Sequence, residues 1–176
     1  MTLLSLPPPG ADAPLLFLDF EASSLSPESW PIEIGLAWVE AGEARMSATL
    51  IAPHPDWPLD DWADYAAAVH GLDLDAVRAG APAGDVAAAT DALAGFELVS
   101  DNPRWDQRWL DRLRGPSRPR LTIGRLRDAA RARLNPYAAD ELAWRLLREP
   151  APHRAGPDAL RLARAWAAAE RIGLAA

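Results

Sequence analysis

The stretch "LLFLDFEASS", Leu15 to Ser24, decides how this chain is read. Five of the six residues from Leu15 to Phe20 are apolar, the composition of a strand buried on both faces. Yet Asp19 interrupts the run and Glu21 follows two residues later. Carboxylates are poor strand formers and costly to bury unless paired or bound to a metal. Side chains alternate along a strand, so residues i and i+2 share a face. The pattern predicts two acidic groups side by side at a strand end, a pair that repels unless a proton or cation intervenes. D-x-E is common, and its plainer reading is a strand-ending Asp19 followed by a turn-capping Glu21.

Working outward, "IEIGLAWVE" (Ile32–Glu40) and "ARMSATLIAP" (Ala44–Pro53) alternate as strands and make an antiparallel meander with the first. Helices are expected over Asp60–Val69 and from Asp85 to near Gly95, then a short strand "ELVS" (Glu97–Ser100). An amphipathic helix follows from Pro103 to Arg114, and "RLTIG" supplies a fifth strand. Helices close the chain over 125–134, 138–148 and 158–172. Three strands followed by alternating helices and strands predict an α/β domain with a mixed five-stranded sheet. The division expected is a flexible proline-rich leader over 1–14 and one domain over 15–176.

The 176 residues suit one domain with a real core. No apolar run approaches the ~20 residues of a membrane span, and the N-terminus does not read as a signal peptide. The expectation is a cytoplasmic protein without membrane partners. There is no cysteine, so a metal here must be held by oxygen or imidazole, which favours hard ions. All 18 cationic residues are arginine and the net charge is −7, which argues against tight nonspecific binding to duplex. Sixteen of those arginines fall between Arg104 and Arg171, so a local basic face remains open.

Three further acidic or basic positions stand out. Asp101 follows "ELVS" and, with Asn102 and Pro103, makes a helix-start signal. Asp106 lies one turn into that helix between Trp105 and Trp109; it is a site candidate or else a solvated residue paired with an arginine. His153 sits in a proline-flanked loop, and Asp158 follows Pro157 at a helix start, where an acidic residue also suits the helix dipole. Imidazole titrates near neutrality and can take a proton from a metal-polarised water.

In order and type, Asp19-x-Glu21, then Asp106, then His153-x4-Asp158 resembles the DEDDh 3′–5′ exonuclease family, which has an RNase H-like fold. "WPIEIGLAWVE", "VHGLDLDAVRAGAP" (Val69–Pro82) and "HRAGPDALRLA" are similar to its other segments, so the resemblance covers about Leu15 to Ala168. The chain departs from the family pattern at Ala22-Ser23-Ser24, at Asp101-Asn102 where His-Asn is usual, at Trp105, and at Gly156-Pro157.

The resemblance implies that Asp19, Glu21, Asp106 and Asp158 hold two divalent ions, Mg²⁺ or Mn²⁺, and that His153 is the general base. It implies stepwise hydrolysis of single-stranded DNA, RNA or short oligonucleotides to nucleoside 5′-monophosphates. Phe20, Ala22, Leu25, Asn102 and Trp105 are the implied substrate contacts. His70 is expected near the substrate entrance, or else as a helix C-terminal residue before Gly71. A homodimer, or a polymerase or RNA-processing partner, is the further expectation. The alternative expectation is a non-catalytic interaction subunit of the same fold.

Overall fold

A computed structural model of the chain describes residues 3–7 and 14–175. The opening stretch forms β1, Leu15–Ala22, at the middle of the sheet. On one side it pairs antiparallel with β2, Pro31–Glu40, which pairs antiparallel in turn with β3, Glu43–Ala52. On the other side it pairs in parallel with β5, Glu97–Ser100. β5 carries a parallel β6, Ile123–Arg125.

A sixth strand corrects the expected five. β4, Ala81–Pro82, pairs in parallel with the end of β3, so the order is β4-β3-β2-β1-β5-β6. Two residues ending in proline are too short and too weak in propensity to be read as a strand without the neighbouring edge.

Helices cover both faces. α1 (Asp64–His70) and α2 (Leu74–Arg78) lead into β4, followed by α3 (Ala83–Ala89) and, after β5, α4 (Pro103–Arg114). α5 (Leu126–Arg133), α6 (Pro136–Arg148) and α7 (Ala155–Ala175) complete the chain. The helix expected from Asp60 is a 3₁₀ turn at Leu59–Asp61 and then α1; the one expected to Gly95 tightens into a 3₁₀ segment after Ala89.

Alternation along β1 divides its side chains between two cores. Leu16, Leu18 and Phe20 pack with Ile34, Leu36, Val86 of α3 and Leu110 of α4. Phe17 faces the opposite layer, with Val99, Leu162 and Trp166. Each such buried side chain contributes about 1.5–3 kcal/mol, so β1 is held on both faces. Asp19 and Glu21 continue the Phe17 face toward the start of α7.

Of the expected leader, residues 3–7 lie against the domain: Leu4 is buried with the first core, and the Ser5 N–H donates to Ser47 Oγ at 2.9 Å. Pro8 and Pro9 lie outside the described residues. Among the described residues no helix is long and apolar enough to cross a membrane.

Candidate active site

The C-terminal end of β1 brings three carboxylates together. One oxygen each from Asp19, Glu21 and Asp158 lie within 4.8 Å of one another. Asp19 and Glu21 arrive by strand alternation. Asp158 arrives because the first turn of α7 rests directly on β2. Gly35, opposite Asp19 in the pairing, leaves the room: a Cβ there would fall 2.0 Å from the Ala155 carbonyl oxygen and 2.4 Å from the Gly156 nitrogen. Gly156 does the same against β3, where a Cβ would meet that of Ala48 at 2.8 Å. Gly156, one of the departures from the family pattern, is thus a packing position in the first turn of α7.

The cluster is electrostatically frustrated as it stands. Burial holds the Asp19 carboxyl well above the usual range, and the charges of Asp106, Glu21 and Asp158 push the same way. Glu21 is pushed up to about 8, by burial first, then by Asp158 and Glu33, with Arg154 pulling back. Asp158 is raised by burial against the opposing pull of the Arg154 N–H and the charges of Arg161 and His153. Three oxygen donors with no thiolate or imidazole among them fit a hard divalent cation, whose charge would offset the repulsion.

Asp106 approaches the cluster from another element, and its charge raises Asp19 more than that of Glu21 or Asp158. It reaches the β1 edge from α4, where one oxygen accepts from the Phe20 N–H at 3.1 Å and the other from the Ser100 hydroxyl. β1 and β5 pair only over Leu15–Phe17, so the Phe20 N–H opens into the gap where the strands diverge. The carboxylate satisfies that donor, which would otherwise be buried and unpaired. Burial raises the Asp106 carboxyl, opposed by Ser100. It lies outside the three-carboxylate set, although its charge acts on Asp19.

His153 is exposed and its backbone has a φ of 56°, left-handed for a non-glycine residue. Holding it there costs on the order of 1–3 kcal/mol, which neighbouring contacts must offset. Those contacts come from residues the sequence reading passed over. Glu33 of β2, only 4% exposed, accepts two hydrogen bonds from Arg154 at 2.9 and 2.8 Å and a third from the Ala155 N–H at 3.0 Å. The Arg154 N–H donates to Asp158 Oδ2 at 3.0 Å, capping α7. A glutamate in the apolar run "PIEIGLAW" is the same anomaly as Asp19 in β1, and that signal was available in the sequence.

The expected substrate contacts separate. Phe20 and Ala22 are buried in the α3/α4 core, so alternation points both away from the carboxylate face. His70 is the last residue of α1, capped by Gly71 at a φ of 69°, and its Nδ1 accepts from the Leu72 N–H at 3.1 Å. It is 4% exposed and packs edge-on against Trp62, so it is a helix-terminal core residue and not an entrance group. Leu25 is 55% exposed and Asn102 is exposed. Trp105 is half-buried, stacked on Trp109 with centroids 5.5 Å apart and carrying Arg108 over its ring.

The departure at Ala22-Ser23-Ser24 has a structural account. Ser23, Ser24 and Ser26 all donate hydroxyl hydrogen bonds to Asp61, and the Trp30 N–H donates to Ser23 Oγ at 3.0 Å. Although burial opposes it, the serine bonds hold the Asp61 carboxyl below its ordinary value. The loop after β1 is therefore latched beside the acidic cluster.

A mixed sheet with acidic groups at the end of its central strand defines an RNase H-like fold of the kind found in exonucleases. The chain superposes on E. coli exonuclease I in complex with a dA16 oligonucleotide at a TM-score of 0.62, with 17% identity over 89% of this chain and 40% of that one. It matches a 3′-exonuclease solved in 3′-end specific recognition of a histone mRNA stem-loop at 0.64, with 15% identity over 90% and 82% of the two chains. Cell-death related nuclease 4 gives 0.63, with 14% identity over 92% and 65%. These likenesses are of fold. The chain spans less than half the length of the exonuclease I chain. No family model and no curated protein matches it.

Proposed function

We propose that this protein is a metal-dependent 3′–5′ exonuclease of the DEDDh type, cutting single-stranded DNA, RNA or short oligonucleotides to nucleoside 5′-monophosphates. The observation that carries the reading is the set of Asp19, Glu21 and Asp158 oxygens within 4.8 Å at the end of β1, beside the His153 loop. Those carboxylates would hold a divalent cation, which would supply Lewis acidity toward a water and the scissile phosphate. One or two such ions, Mg²⁺ or Mn²⁺, suit the oxygen donors. His153 takes the proton from the attacking water, and its exposed loop gives it access to solvent for release. Attack breaks the bond from phosphorus to the 3′ oxygen of the preceding nucleotide, which leaves as a 3′ hydroxyl after taking a proton from solvent, while the phosphate stays on the 5′ oxygen of the terminal one. Glu33 and Arg154 orient the His153 loop, and Asp106, whose charge acts on Asp19, would be the fourth carboxylate of the metal-holding set.

The test is incubation with 3′- and 5′-labelled DNA and RNA oligonucleotides in Mg²⁺, Mn²⁺ or EDTA. Stepwise shortening from the 3′ end is expected, abolished by EDTA and by Asp19→Ala. Absence of degradation with either ion, or an Asp19→Ala protein as active as wild type, overturns the reading.

A further inference from the structure

The arginines of this acidic chain are mostly spoken for. Arg118 and Arg114 pair with Asp91, Arg120 with Asp111, Arg133 with Glu97 and Arg145 with Glu141. Among the described residues, seven arginines have no carboxylate partner within 4.0 Å, and three of them, Arg104, Arg125 and Arg131, lie close together; Arg127 beside them has only its chain neighbour Asp128, at 3.6 Å. All four line one cavity of about 790 Å³, with apolar side chains such as Leu126 and Leu142, and they outnumber its two carboxylates, Asp101 and Asp140. Cationic side chains left free around one apolar-floored cleft make an anion site, while the chain as a whole carries −7.

One end of the cleft adjoins the elements that carry the candidate active site. Its lining includes Asp101 and Asn102, which directly follow Ser100, whose hydroxyl donates to Asp106, and it runs between α4, α5 and α6. The Asp101 charge reaches Asp19, Asp106 and Asp158, so this mouth lies within electrostatic range of the acidic cluster. Asp101 itself is offset by Arg161 at 3.5 Å. A strand whose last phosphodiester sits at the carboxylates must leave along some surface. The acidic cluster repels its backbone, whereas this cleft attracts it and offers the bases an apolar floor.

We propose that the cleft between α4, α5 and α6 is the track for single-stranded nucleic acid upstream of the bond that is cut, with Arg125 and Arg131 on consecutive phosphates. The proposal rests on the nuclease reading and adds to it a basic exit path that the acidic cluster cannot supply. A cleft with so few free cations suits one strand, not duplex.

The test measures binding apart from cleavage. Fluorescence anisotropy of a labelled oligo-dT and an oligo-U of about twelve nucleotides is followed in EDTA across a salt series. For single strands the slope of log K against log salt is about −0.7 per phosphate contacted. Arg125→Ala/Arg131→Ala is expected to reduce the slope by about 1.4 on both oligonucleotides and to weaken binding at least about tenfold at low salt. Arg125→Lys/Arg131→Lys is expected to keep the slope. These side chains are exposed, so circular dichroism of the variants should match wild type.

An alanine variant with unchanged slope and affinity overturns the track. So does competition by poly-glutamate as effective as by oligonucleotide, which would mark the cleft as an acidic-protein site. Hydrolysis of a dinucleotide with Mn²⁺ reports on the nuclease reading by itself. Cleavage with no arginine effect removes only the track, and arginine-dependent binding without cleavage of any substrate removes only the nuclease reading.

Discussion

Replacing Asp19 by Asn should stabilise the metal-free protein at alkaline pH and destroy its response to metal, two effects of opposite sign. With three carboxylate oxygens within 4.8 Å, each ionised pair repels by about 3 kcal/mol at an effective dielectric constant near 20. Water and protonation discount this, leaving on the order of 2 kcal/mol for removing one charge. Glu21, held near 8 in the folded protein, binds a proton more tightly folded than unfolded. Its contribution to stability is therefore fully present below about pH 4.5 and is lost as the pH rises through about 8. Wild type without metal should thus lose stability across that window, and Asp19→Asn should lose less. At about pH 8 in EDTA the variant should melt about 4–8 °C higher, from about 2–4 °C per kcal/mol for a chain of this size. At about pH 5, with Glu21 protonated, most of the difference should vanish. Mn²⁺ at one hundred times its Kd adds about 2.7 kcal/mol to wild type, enough to reverse the order, and should add little to the variant. Differential scanning fluorimetry at two pH values with EDTA or Mn²⁺ reads all four states. An Asp19→Asn protein less stable than wild type in alkaline EDTA, or raised equally by Mn²⁺, would refute the reasoning.

Three other outcomes are expected. Gly35→Ala puts a methyl where the Ala155 backbone stands, at 2.0 Å, and should cost about 1–3 kcal/mol in urea unfolding while abolishing the Mn²⁺-induced stabilisation, because α7 carries Asp158 away from Asp19. Glu33→Gln keeps the shape but strands Arg154, whose side chain is 39% exposed; water softens the loss to about 1–3 kcal/mol, and kcat should fall more than KM rises if the His153 loop is mispositioned. His153→Ala should lower kcat on an oligonucleotide by about 10²–10⁴ while the Mn²⁺ effect on melting temperature persists, and equal loss of both would remove the histidine from the base role.

Legibility followed the range of the interaction. The ranges of β5 and α4 match the sequence reading to the residue, because a short apolar run and an Asn-Pro helix start are local signals. Asp19 and Glu21 were visible as acidic interruptions of an apolar strand. Glu33 carried the same signal in β2, yet its role depends on Arg154, 121 residues away. The orientation of Phe20 followed from alternation once the face of Asp19 was known, and its assignment to the substrate failed on that rule. The two-residue β4 and the anchoring of Ser23, Ser24 and Ser26 on Asp61 were not local at all.

Sequence alone determined that this chain forms an α/β sheet around "LLFLDFEASS" and that its carboxylates have no partner within their own segments. Propensity, alternation and the cost of burying charge act over a few residues, so one chain suffices to read them. Only the tertiary structure decided which carboxylates meet. Gly35 and Gly156 let the α7 backbone touch the sheet and carry Asp158 to Asp19, while the parting of β1 from β5 drew Asp106 to the Phe20 N–H. Such choices are made by close contact between distant segments, where a single Cβ changes the outcome.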